Sequence, residues 1–146
     1  LEFVFYTNDA GKRYVNELAS RMGIEDVVRC EPWVAADCVP EVLTNTSALL
    51  IVTNKGSRGV MTTKAFEYMA MNRPILCLPD PDEQLESVLN ETGTGFTMRD
   101  KESVKRCLEK LIEGTLEIHP NMDEVMKYSR GAQAKQFEAL MQEVLS

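Results

Sequence analysis

Ser47–Leu78, SALLIVTNKGSRGVMTTKAFEYMAMNRPILCL, is the stretch that decides how this chain folds. Its first seven residues, Ser47–Thr53, are apolar on successive rather than alternating positions. A continuous run of that length suits a strand buried on both faces, as in a parallel sheet. Asn54, Lys55, Gly56, Ser57, Arg58 and Gly59 then make a small, basic, glycine-containing loop. Thr62 or Thr63 can cap a helix running to about Met71, which Asn72-Arg73-Pro74 ends, because proline disfavours helical backbone in the residue before it. Pro74–Leu78 opens the next apolar run. Strand, basic loop, helix and strand make a βαβ unit, whose loop lies where such folds bind anions.

Charge and one misplaced acid mark this unit out. The chain is acidic, with a net charge of −7, yet no Asp or Glu lies between Glu41 and Glu67, only Lys55, Arg58 and Lys64. Positive side chains beside a helix start favour a phosphate despite the overall charge. Glu67 sits one turn into a helix otherwise built from Ala65, Phe66, Tyr68, Met69, Ala70 and Met71. A carboxylate in such surroundings is paired, protonated, or used on a ligand hydroxyl. The plainer alternative is a Lys64–Glu67 surface pair, in the less favourable orientation, worth about 0.3 kcal/mol.

Working outward, Glu2–Tyr6 reads as a strand, and Tyr14, Leu18, Ala19 and Met22 give helical spacing up to a stop at Gly23. Val27–Cys30 is a second strand, followed by Glu31-Pro32-Trp33. Trp33 can stack on a planar ligand or simply pack. Val39–Leu43 suits a short covering helix. Beyond Leu78, a turn at Pro79–Asp82 leads to a helix from about Glu83 to Asn90 with Leu85, Val88 and Leu89 inward. Gly95–Met98 is a last short strand. Asp100 can cap a helix carrying Val104, Leu108, Leu111 and Ile112 on one stripe. A connection through Gly114–Pro120 precedes a helical region from about Met122 to Leu145, whose Phe137, Leu140, Met141, Val144 and Leu145 fall at 3–4 spacing.

Composition bounds the rest. The chain has 146 residues, 44% of them hydrophobic, enough for the core of one domain spanning 1–146. No apolar run reaches transmembrane length and no signal-peptide pattern is present. Cys30, Cys38, Cys77 and Cys107 form no CxxC pair, and the single histidine, His119, precedes Pro120 in a polar connection, so no metal site is expected. Cys30 and Cys77 fall in strands, as small buried hydrophobes of a reducing cytosol. Gly93 and Gly95 lack the GxGxxG frame, and the GxxxxGK[ST] of a P-loop is absent. An acidic chain with a short basic patch fits nucleic acid poorly. Strands and helices alternate throughout, which predicts an α/β fold: a three-layer αβα sandwich around about five parallel strands.

Lys64-Ala-Phe-Glu-Tyr-Met-Ala-Met-Asn-Arg-Pro-Ile-Leu76 resembles the K-x-x-E-Y-L-A-x-G-x-P-I-L signature of retaining GT-B glycosyltransferases, the large family 4 group. Glu91–Phe96 is similar to the family's connection into its last strand, and Glu31-Pro32-Trp33 to the edge that meets the nucleobase. Nearly the whole chain is covered by the resemblance. It implies the C-terminal, donor-binding domain of such an enzyme, a Rossmann-like fold. The donor would be a UDP- or GDP-linked sugar, transferred with retention to a glycan or lipid-linked acceptor. Glu67 would bind the ribose hydroxyls. Lys64, Arg58, Ser57, Gly59, Thr62 and Thr63 would surround the diphosphate, and Trp33 would lie near the base. Many members carry a second glutamate eight positions before the first; here Gly59 stands there, and Asn72 replaces the usual glycine.

The same resemblance implies an upstream acceptor-binding domain and a first βα unit of the donor domain, both preceding Leu1, so that residues 1–146 alone would not turn over. No residue here suits a covalent nucleophile or other catalytic role, and no cofactor or metal is expected, since a DxD motif is missing. A cytoplasmic location follows, peripheral to the inner membrane only through the absent half or a lipid-linked acceptor. In the family the last helix often crosses back onto the N-terminal domain, which would explain the stripe at 137–145; packing on its own sheet is the alternative. A GT-B nucleotide-sugar epimerase, or a non-catalytic nucleotide-binding domain, would share the same donor site.

Overall fold

A computed structural model of the chain describes residues 1–53, 61–79 and 83–145. Five strands alternate with seven α-helices: β1 Phe3–Tyr6, α1 Asp9–Met22, β2 Val28–Glu31, α2 Val39–Thr44, β3 Leu49–Val52, α3 Thr63–Met69, β4 Ile75–Leu78, α4 Glu83–Thr92, β5 Gly95–Thr97, α5 Lys101–Glu113, α6 Met122–Lys127 and α7 Arg130–Leu145. Every strand pairing among the described residues is parallel. The α/β class and the strand positions follow the sequence. The single five-stranded sheet does not. Among the described residues the strands pair as β1-β2 and as β3-β4-β5. Hydrophobic runs locate strands but carry no record of which edges meet, so their number does not fix the sheet.

The chain divides into two compact units, Leu1–Val42 and Leu43 onward. In the first, Phe3, Val4, Phe5 and Tyr6 lie opposite Val28, Arg29, Cys30 and Glu31. The Asn8 side chain caps α1 by accepting the Gly11 N–H at 2.8 Å, and Gly23, in the left-handed region, ends it. A single turn of 3-10 helix, Glu25–Val27, leads into β2.

The second unit holds a continuous core. Residues Leu49–Val52 of β3 match Ile75–Leu78 of β4 one for one, and β4 carries β5 on its other side. Ile75 and Cys77 pack with Ala65, Met69, Leu85, Val88, Leu89 and Val125 from α3, α4 and α6. Leu76 points the opposite way, with Met98, Cys107, Phe96 and Leu108. Both faces of β4 are therefore covered, which is why its sequence is apolar without alternation. Cys77 is fully buried as expected, whereas Cys30 is only half-buried; all four cysteines are free thiols.

Gly93 and Gly95 have packing roles. Gly93 has φ +63°, and a Cβ there would lie 2.3 Å from the His119 carbonyl oxygen. A Cβ on Gly95 would lie 2.6 Å from the Ile75 carbonyl oxygen and 2.8 Å from Ile75 Cβ. Only glycine lets β5 come this close to β4. His119 itself is exposed. Asp100 and Ser103 form a reciprocal capping box at the start of α5. The Ser103 backbone N–H, donating to Asp100 Oδ1 at 2.7 Å, is the chief reason that carboxyl is held below its usual range.

The expected single helical region from Met122 to Leu145 is two helices. Ser129 donates its N–H to Met126 O at 3.1 Å as α6 ends, and its Oγ accepts the Ala132 N–H at 3.2 Å as α7 begins. None of α7 is buried; Phe137 is 66% exposed and Val144 80%. The stripe on α7 therefore does not pack on the sheet.

Candidate functional site

The site is built at the carboxyl ends of β3 and β4. Thr53 extends the β3–β4 pairing by donating its N–H and its hydroxyl to the Leu78 carbonyl, at 2.8 and 3.1 Å. The loop residues Ser57, Arg58 and Gly59, named from the sequence, lie outside the described residues, as do Lys55 and Gly56. The chain is described again from Met61. Thr62 has extended backbone, φ −73° and ψ 138°, and its hydroxyl accepts the Lys64 N–H at 3.4 Å. It is the cap of α3, and Thr63 is the first helical residue.

Ala65 and Met69, one turn apart, are the buried side of α3, 0% and 3% exposed. Thr63, Lys64 and Glu67 are exposed. The 3.6-residue period places positions i, i+3 and i+4 on one face, so these three share the outer face. Glu67 is therefore not enclosed by its apolar neighbours: Ala65 and Met69 turn to the core, and Ala70 beside it is itself exposed. Among the described residues no ion pair joins it to Lys64. Its charge is felt by Tyr68, whose hydroxyl pKa is raised first by burial and then by Glu67. Phe66 packs against Tyr128, ring centres 5.8 Å apart. At seven residues, α3 offers a weak helix dipole, so attraction for an anion would fall mainly to cationic side chains.

The turn after α3 accounts for the rest of the stretch. Asn72 has φ +52°, a left-handed conformation that glycine adopts freely and asparagine tolerates best among the others. Arg73 reaches back to α2, where Nε and Nη2 both donate to the Thr44 carbonyl, Nε at 2.9 Å. The Pro74 carbonyl accepts the Leu49 N–H at 2.8 Å, and Ile75 and Leu76 enter the core.

Trp33 belongs to the first unit, in the connection after β2, and is 71% exposed. Burial gives no reason for a tryptophan there.

One polar cluster escaped the sequence reading. Glu86, in the first turns of α4, accepts the Thr97 hydroxyl at 2.8 Å and is ion-paired to Arg99, just beyond β5. The Thr97 hydrogen bond, then Arg99, holds the Glu86 carboxyl below the usual range. Spacings of eleven and thirteen residues across a strand and a turn leave no periodic trace. The cluster ties α4 to the carboxyl end of β5.

Among the described residues no group of His, Cys, Asp or Glu is placed to hold a metal ion. Among the same residues no helix is long and apolar enough to cross a membrane. Comparisons with protein-family models, curated proteins and solved structures return no match to this chain.

Proposed function

We propose that this chain is the donor-binding part of a retaining GT-B glycosyltransferase, acting on a UDP- or GDP-linked sugar. One observation carries the reading. Within Lys64–Leu76, packing explains Ala65 and Met69 as core, Asn72 as a left-handed turn, Arg73 as a brace to Thr44, and Pro74, Ile75 and Leu76 as strand entry. It leaves Lys64 and Glu67, the two charged residues of the signature, side by side and pointing to solvent. Asn72 stands where the signature has glycine, and its φ of +52° is a conformation for which asparagine is the natural substitute.

In this proposal the leaving group is a nucleoside diphosphate, and the domain's task is to stabilise its growing negative charge. Lys64 supplies positive charge, with the backbone of Thr62 and Thr63 close to the phosphates. Glu67 accepts hydrogen bonds from the ribose hydroxyls. The acceptor, a glycan or lipid-linked chain, would be bound by an N-terminal domain, which the open apolar face of α7 suits as a covering partner, and any membrane association would come through that half.

A single Rossmann-like sheet in three layers belongs to the same proposal. In a 3-2-1-4-5-6 sheet, strands two and three pair with each other, and strands four, five and six pair in sequence. The pairings β1-β2 and β3-β4-β5 are compatible with those two runs; strand one would come from an upstream βα unit.

The test is a titration of the chain with UDP and with GDP, followed by amide chemical shifts. Millimolar-range binding of one nucleotide, centred on Thr62–Glu67 and weakened in Glu67→Ala, is the expected result. Binding that maps elsewhere, or is indifferent to Glu67, overturns the assignment.

A further inference from the structure

On the second unit a groove runs between β5 and α5. In the β4–β5 pair, the Thr94 carbonyl accepts the Ile75 N–H at 3.0 Å and the Met98 N–H donates to the Cys77 carbonyl at 2.8 Å. Alternate residues of a parallel strand bond to opposite sides, so the N–H and C=O of Thr97 face outward. No described strand pairs with that side of β5. A cavity of about 200 Å³ opens there, floored by Phe96, Met98, Cys107 and Leu116 and flanked by Arg106 and Lys110. Both cations are exposed, and neither forms an ion pair among the described residues. They stand four residues apart on α5, on either side of Cys107, and so project over the same groove.

We infer that this groove docks an extended acidic peptide, which adds to the outer edge of β5 and seats one apolar side chain in the cavity while its carboxylates meet Arg106 and Lys110. Three features converge on that occupant. An open strand edge offers backbone hydrogen bonds to another strand. The apolar floor has room for about one large aliphatic side chain, well below the 300 Å³ or more of usual small-molecule pockets. Two unpaired cations in a chain of net charge −7 select a negative partner locally against the overall field.

The probe is a capped pentapeptide with leucine at its centre and glutamate on both sides, titrated into the isotope-labelled 146-residue chain. Saturable amide shifts at Thr97, Met98, Arg106, Cys107 and Lys110 are expected. Affinity should fall about tenfold in the Arg106→Gln/Lys110→Gln variant, where two charge-assisted contacts are lost. It should fall comparably when glycine replaces the central leucine. Both substituted side chains are exposed, and an unchanged amide spectrum elsewhere confirms the fold. Absence of shifts at millimolar peptide, or equal shifts from a lysine-flanked peptide, overturns the inference. So does hexanoate alone reproducing the full pattern, which would make the groove a site for small apolar acids.

Discussion

β4 and β1 are strands of equal length in parallel pairs, yet they bury very different fractions of themselves. In β4, Ile75 and Cys77 are fully buried and Leu76 is 5% exposed. In β1, Phe3, Val4 and Phe5 all keep partial solvent contact, and Tyr6 is 42% exposed. The helices repeat the contrast: α4 buries Leu85, Val88, Leu89 and Thr92, whereas α1 buries only Ala19. A strand with neighbours on both sides and helices on both faces becomes core. A two-stranded parallel pair with one helix does not, and such a unit is marginal by itself. The second unit thus holds the stability, and the motif of Lys64 and Glu67 is mounted on it.

Breaking the core should show the difference most strongly. Ile75→Ala should cost about 3 kcal/mol, the usual loss for a fully buried aliphatic side chain, whereas Val4→Ala in β1 should cost about 1 kcal/mol or less. Urea unfolding of each variant measures both, and equal losses would erase the contrast. Next comes Gly95→Ala, expected to cost about 2 kcal/mol because its Cβ meets backbone rather than a movable side chain. Gly131→Ala, with nothing within 4 Å of its Cβ, should instead gain about 0.5 kcal/mol in α7.

A smaller effect is expected at the turn. Asn72→Ala should cost about 1 kcal/mol for left-handed backbone, while Asn72→Gly should be neutral or stabilising. Equal losses in both variants would show that the asparagine side chain, not its backbone, matters. The smallest effect concerns Glu86. Its carboxyl is held lower in the folded chain than in the unfolded one, so its contribution is fully present above the ordinary glutamate pKa and is lost as pH falls through the lowered value. Glu86→Gln should cost about 1 kcal/mol at neutral pH, as a part-exposed charged hydrogen bond does. It should also flatten the fall in stability with acid, read from urea midpoints across the acidic range.

Much of this was legible in the residues. The stop at Gly23, the cap at Asp100 and the turn at Asn72-Arg73-Pro74 are local signals, and local hydrogen bonds or fixed dihedrals realise them; the run at 47–53 shows its strand by unbroken apolar composition. Sheet pairing was not, because an apolar strand does not name its neighbour. The break at Ser129 does carry a signal, since a serine before a helix start is an ordinary cap. The Glu86–Thr97–Arg99 cluster depends on a helix meeting the end of a strand, which no spacing encodes. For Glu67, the sequence showed apolar neighbours, but that only Ala65 and Met69 turn to the core, leaving Glu67 exposed, appears only once the face of α3 is known.

The central claim is that Glu67 reads ribose hydroxyls. The most direct test compares the affinity of the chain for UDP or GDP, whichever binds, with that for its 2′,3′-dideoxy analogue, in the native sequence and in Glu67→Ala. The account predicts that removing the hydroxyls weakens binding about tenfold in the native chain, as loss of charge-assisted hydrogen bonds should, and makes no further difference in the variant. An equal effect of the hydroxyls in both proteins would contradict it.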